Sequence, residues 1–76
     1  MSEERPTEVK KVLAYAADMT LPAKLRTNAI EQLAKISTRE AFVALLELAT
    51  NEGLITKERD FALKKAREVL KRTSPL

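Results

Sequence analysis

Residues 21–36 read LPAKLRTNAIEQLAKI, and residues 54–69 read LITKERDFALKKAREV. The two stretches carry identical residues at four matching places, namely Leu21 and Leu54, Lys24 and Lys57, Arg26 and Arg59, and Ala29 and Ala62. The same offset of 33 residues continues upstream, where Leu13 aligns with Leu46 and Ala16 with Ala49. A period of about 20 to 50 residues is typical of stacked units that cannot bury an apolar face alone. The sequence therefore predicts two copies of one unit that cover each other.

The composition limits how such a chain is stabilised. Its 76 residues make one small domain, with 45% hydrophobic and 33% charged residues and a net charge of +3. The chain contains no cysteine and no histidine, so neither a disulfide nor a histidine or cysteine zinc site is expected to stabilise it. Helical repeats usually need about three units for stability. With two copies here, we expect a protein partner or self-association.

Apolar residues recur at helical spacing, and the sequence predicts four helices in a single domain, 1–76. Thr7, Thr20 and Thr56 are expected as N-caps, Ser37 and Glu40 as a capping box, and Gly53 as a positive-φ helix end. The predicted helices cover residues 7–18, 21–36, 38–51 and 57–72.

The third helix is the most apolar of the four. One of its faces carries Phe42, Leu45, Leu46 and Ala49, and a second carries Ala41, Ala44 and Leu48. A helix that is apolar nearly all round must be covered on several sides. We therefore expect this helix in the middle of the fold, with Leu46 in the core, and the first helix at an edge.

The expected fold class is all-α, with four antiparallel helices in two layers. Short links favour contact between consecutive helices. Helices 1 and 3 form one layer and helices 2 and 4 the other, which gives two helical hairpins in a right-handed stack.

Leu25-Arg26-x-x-Ala29-x-x-x-Leu33 resembles the first helix of HEAT-type repeats, and Glu58-Arg59-x-x-Ala62-x-x-x-Ala66 is a second copy without the apolar residue before the arginine. The resemblance spans about residues 8–72. It implies a scaffold whose concave surface binds proteins or sometimes nucleic acid. It also implies an acidic residue before each such helix that meets the arginine. Asp18 and Asn51 occupy those places, and the second is uncharged. From the residues alone, we expect both arginines to be structural.

The residues give little support for catalysis, because the commonest general base and the strongest nucleophile are both missing. One glycine cannot build a phosphate-binding loop. The expectation is a protein that is not an enzyme and that uses no cofactor, metal or small-molecule substrate. The acidic Ser2-Glu3-Glu4 start does not resemble a signal peptide and no apolar run is long enough to span a membrane, so a cytoplasmic location without membrane association is expected.

The positive charge is concentrated in the last helix. Residues 57–72 carry seven positive and three negative side chains, against a net +3 for the whole chain. Ala62, Leu63, Ala66, Val69 and Leu70 form the expected inner stripe, and Phe61 points away from it among cations. This basic face is the candidate partner-binding surface, with Phe61, Lys57, Lys64, Lys65 and Arg72 as its residues.

Nucleic-acid binding is the alternative function. Ala49, Gly53 and a following helix that opens with Thr56, Lys57 and Arg59 have the spacing of a helix-turn-helix, with a basic second helix. Arg59 falls where that motif usually has an apolar residue. The leading expectation remains a non-catalytic protein-interaction or scaffold module.

Overall fold

Four α-helices form the regular structure of residues 4–73. The computed structural model describes the backbone of residues 4–73 and the side chains of residues 8–72. The helices are α1 (Glu4–Ala17), α2 (Ala23–Ile36), α3 (Arg39–Ala49) and α4 (Thr56–Thr73). No strand occurs in residues 4–73, so the predicted all-α class is confirmed. None of these helices has both the length and the apolar character required to cross a bilayer.

The helices differ in how many neighbours they contact. Helix α1 packs against α2, and α3 packs against α4. Across these two pairs, α1 contacts α3, α2 contacts α4, and α2 also contacts α3, whereas the described parts of α1 and α4 do not meet. The prediction of a single central helix is therefore incomplete, because α2 and α3 share the central position.

The core is built where these helices meet. Residues recurring at three- and four-residue spacing point inward on each helix, as an amphipathic pattern requires. The largest fully buried side chains are Ile30, Leu33, Leu45, Leu48 and Val69. Alanines fill the closest approaches between helices and are buried at positions 16, 29, 34, 41, 44, 62 and 66.

The first two helix starts differ from the predictions. Helix α1 already begins at Glu4, so Thr7 lies inside the helix and is not its N-cap. Helix α2 follows Pro22, whose extended backbone makes no side-chain capping bond. Thr20 instead donates its backbone N–H and its hydroxyl to Asp18 Oδ1, which organises the α1–α2 turn. These two hydrogen bonds hold the pKa of the Asp18 carboxyl below its usual value.

The predicted capping box at Ser37 is wrong by one residue. Ser37 adopts a left-handed conformation with φ of 56° and ends α2, where its hydroxyl donates to the carbonyl of Ala34. Thr38 caps α3 instead, and its Oγ1 accepts the N–H of Ala41 at 3.1 Å. The link between α2 and α3 has only two residues, so the first must end one helix and the second must begin the next.

The link before α4 also departs from the prediction. Gly53 does not have a positive φ. Its N–H donates to Asn51 Oδ1 at 2.8 Å, so the asparagine side chain forms the turn. Thr56 is the first residue of α4, and its hydroxyl accepts from Arg59 Nη2 at 3.1 Å.

Three leucines expected in the core are exposed to solvent. Leu46 of α3 is 37% exposed, and Leu63 and Leu70 of α4 are 38% and 53% exposed. No described element covers these side chains. The inner stripe of α4 is rotated toward Glu58 and Phe61, with Ala62, Ala66 and Val69 buried as predicted.

Two adjacent leucines of α3 provide a matched test of this packing. Leu45→Ala is expected to cost about 2–5 kcal/mol of unfolding free energy, because the side chain is fully buried. Leu46→Ala makes the same chemical change on the same helix and is expected to cost about 1 kcal/mol or less. Urea unfolding followed by circular dichroism measures both. Equal losses would contradict the orientation of α3.

Candidate functional site

A buried ion pair links the α1–α2 pair to the α3–α4 pair. Arg26 Nε donates to Glu58 Oε1 at 3.1 Å, and Arg26 Nη2 donates to Glu58 Oε2 at 2.7 Å. Arg26 is 6% exposed and Glu58 is 4% exposed. Arg26 Nη1 also donates to the carbonyl of Leu21, at the turn that precedes α2. Since both carboxylate oxygens are used, the pair fixes α4 against α2 with a defined orientation.

The structural role expected for Arg26 is confirmed, but its partner is not the residue that the resemblance implied. The Asp18 carboxylate accepts a hydrogen bond from Thr20, and the carboxylate that accepts from Arg26 belongs to Glu58 of α4. The hydrogen bonds that Arg26 donates to Glu58 raise the pKa of the Arg26 guanidinium above its ordinary value, so the group stays charged.

Sequence reasoning missed Glu58. At the offset of 33 residues Glu58 corresponds to Leu25, so the sequence indicated only that the apolar residue before the arginine is absent from the second copy. A signal was nevertheless present, because Glu58 precedes Ala62 by four residues and shares its helical face. A carboxylate on a core stripe requires a buried cation, and Arg26 of the first copy was available.

Phe61 and Lys65 interact on the side of α4 that faces α2. Phe61 is partly buried and packs against the core. Lys65 Nζ lies 5.3 Å from the centre of the Phe61 ring, which is within the range of a cation–π contact. The same ammonium approaches Glu68 Oε1 at 3.4 Å. Lys65 is therefore engaged by neighbours on its own helix.

Arg72 lies away from this cluster and completes the end of α2. Its Nη2 donates to the carbonyl of Ala34 at 2.7 Å and to Ser37 Oγ at 3.0 Å. A guanidinium at a helix C-terminus satisfies free carbonyls and favours the helix dipole. Two of the four predicted cations, Lys65 and Arg72, thus have contacts within the protein.

The remaining predicted residues line one groove between α2 and α4. Phe61 and Ile55 provide apolar surface, and Ile55 is 49% exposed. Lys57 and Lys64 are exposed along the groove and form no salt bridge within residues 8–72. The other lining residues are Ala23, Thr27, Glu58 and Asp60. We call this surface the α2–α4 groove.

Within residues 8–72, no three acidic side chains converge to form a candidate metal site. No protein-family model, curated protein or solved structure matches the chain. The α2–α4 groove and the exposed leucines of α3 and α4 are therefore the candidate functional surfaces.

The buried ion pair makes a prediction about stability. Glu58→Leu and Arg26→Met are each expected to lower the melting temperature by roughly 12 °C or more, because each leaves one buried charge without its partner. The double variant Arg26→Met/Glu58→Leu should recover most of the loss, since it removes both charges together. Thermal unfolding at neutral pH compares the three. Additive losses in the double variant would show that the two residues do not interact.

Proposed function

We propose that the protein is a non-catalytic interaction module that binds an acidic segment of a protein partner in the α2–α4 groove. The observation that carries the proposal is an apolar floor of Phe61 and Ile55 beside two exposed ammonium groups that form no salt bridge with the described residues. Apolar anchors supply binding energy, and charges at the rim supply orientation and association rate. A partner with carboxylates that flank an apolar side chain fits this arrangement.

The proposed scaffold consists of two HEAT-like hairpins, α1–α2 and α3–α4, with antiparallel helices in two layers and a right-handed stack. The repeat of 33 residues supports it, as do the contacts within each consecutive pair and between α1 and α3 and α2 and α4. In this arrangement α2 and α4 lie side by side in one layer. The groove then runs between equivalent helices of the two hairpins.

A protein partner is favoured over nucleic acid because some of the cations on α4 are used in contacts within the protein. Lys65 is held by Phe61 and Glu68, and Arg72 is held at the end of α2. Phosphate binding depends on several free cations, each of which adds to the salt dependence of affinity. Lys57 and Lys64 are the two members of the predicted set that remain free for a partner.

A pair of charge reversals tests the groove. Lys57→Glu/Lys64→Glu is expected to lower the affinity for the partner at least tenfold, because it replaces attraction of an acidic segment by repulsion. Lys10→Glu/Lys11→Glu makes the same charge change on exposed positions of α1 and is the control. The partner is captured from native lysate with nuclease present and purified, and its affinity for each variant is measured by titration calorimetry.

The titration is repeated at several salt concentrations. A protein partner gives a shallow slope of log K against log salt, whereas about six phosphate contacts give a steep one. Capture that depends on intact nucleic acid, with a steep slope, would replace the proposal by nucleic-acid binding. Equal affinities for both double variants would exclude the groove as the binding surface.

A further inference from the structure

The exposed sides of α3 and α4 carry a set of residues that we call the α3–α4 end face. It contains Leu46 on α3 and Arg59, Leu63 and Leu70 on α4. The three leucines are 37%, 38% and 53% exposed. On α4, residues 59, 63 and 70 lie within about 40° of one another at about 100° per residue, so they share one side of the helix.

The first half of the chain shows how the equivalent surface is covered. At the offset of 33 residues, Arg59 corresponds to Arg26 and Leu63 to Ile30. Ile30 is fully buried, whereas Leu63 is 38% exposed. The difference arises because α3 and α4 pack over α1 and α2, while no described element packs over α3 and α4 from the other side.

Arg59 differs from Arg26 in the same way. Arg26 donates through Nε and Nη2 to the carboxylate of Glu58. Arg59 Nη2 has only the hydroxyl of Thr56, and its Nε is shielded from solvent without a hydrogen-bond partner among the described residues. Arg59 forms no salt bridge with a described residue, and Nη2 has a second N–H beyond the one that it donates to Thr56. The second arginine therefore lacks the ligand that the first one has.

We infer that the α3–α4 end face is a second docking surface, which binds a partner helix that presents a carboxylate to Arg59 between apolar residues. Glu58 and its helix provide the internal example of such a ligand, with Ala62 and Val69 on the same side. The apolar neighbours cover Leu46 and Leu63, and the carboxylate pairs with the Arg59 guanidinium.

A second copy of the chain would present apolar residues to the end face but no carboxylate to Arg59. If a second copy packed on α3 and α4 in the way that these helices pack on α1 and α2, its Leu25 would lie against Arg59 of the first copy. Leu25 would then take the place that Glu58 has beside Arg26. Leu25 is 48% exposed and lies in an apolar groove with Val12 and Tyr15. Because this contact leaves the Arg59 guanidinium without a carboxylate, a partner that carries one is favoured over self-association.

The end face is separate from the α2–α4 groove. Residue 59 lies about 160° around α4 from residue 61 at about 100° per residue, so the two surfaces lie on nearly opposite sides of the helix. Failure of one proposal therefore leaves the other intact.

The exposed position of Leu25 permits a direct test with a defined probe. The donor is the full chain with Leu25→Glu/Arg59→Glu, which presents a carboxylate at the place equivalent to Glu58 and blocks its own end face. The receiver is the wild-type chain. We expect a 1:1 complex in analytical ultracentrifugation, with an affinity at least tenfold higher than for the matched donor Leu25→Gln/Arg59→Glu. A receiver with Arg59→Gln should lose that tenfold preference.

A spectroscopic readout keeps the result independent of small stability changes. The Arg59 Nε–H resonance of the labelled wild-type receiver should shift and gain protection from exchange when the glutamate donor is added, and not with the glutamine donor. Circular dichroism verifies that each variant is folded. No complex, equal binding of the two donors, or an unmoved Arg59 resonance would overturn the inference. Wild-type self-association as strong as donor binding would also overturn it, in favour of a second copy.

Discussion

The bidentate contact between Arg26 and Glu58 is the constraint on which the arrangement of the four helices depends. Burying either charge alone is strongly unfavourable, so the two must be buried together and in the correct geometry. Apolar side chains slide past one another at little cost, whereas a two-bond contact tolerates only one placement of α4 against α2. Because Arg26 also holds the carbonyl of Leu21, the same side chain ties the turn between α1 and α2 to this placement.

The two halves of the chain share their pattern but not their environment. Arg26 and Arg59, or Ile30 and Leu63, occupy equivalent places, yet one member of each pair is buried and the other is not. Burial is therefore decided by what packs over a residue, since the helical pattern only determines the side on which it points. In the described part of the chain, α3 and α4 pack on α1 and α2, and no described element packs on the other side of α3 and α4.

This distinction explains what could be predicted from the sequence. The number and type of helices and the burial of Ala29, Ile30 and Leu33 follow from periodicity and are found in the structure. The exposure of Leu46 and the pairing of Glu58 depend on which helix lies opposite, which a periodic pattern does not encode. The cap at Thr38 was missed because Ser37 and Thr38 are equally good capping residues by type, and only the two-residue link decides between them.

Helix α4 has three chemically different sides. One side carries Glu58, Ala62 and Val69 and belongs to the core. The side toward α2 presents Phe61 and the groove lysines, and a third side carries Arg59 with exposed leucines. The excess of cations on this helix therefore overstates its attraction for a large polyanion, since part of the charge stabilises the fold through Lys65 and Arg72. Ligands at the other two sides would contact opposite surfaces of one helix, so neither would block the other sterically, and any coupling between them would have to pass through the packing of α4 on α2 and α3.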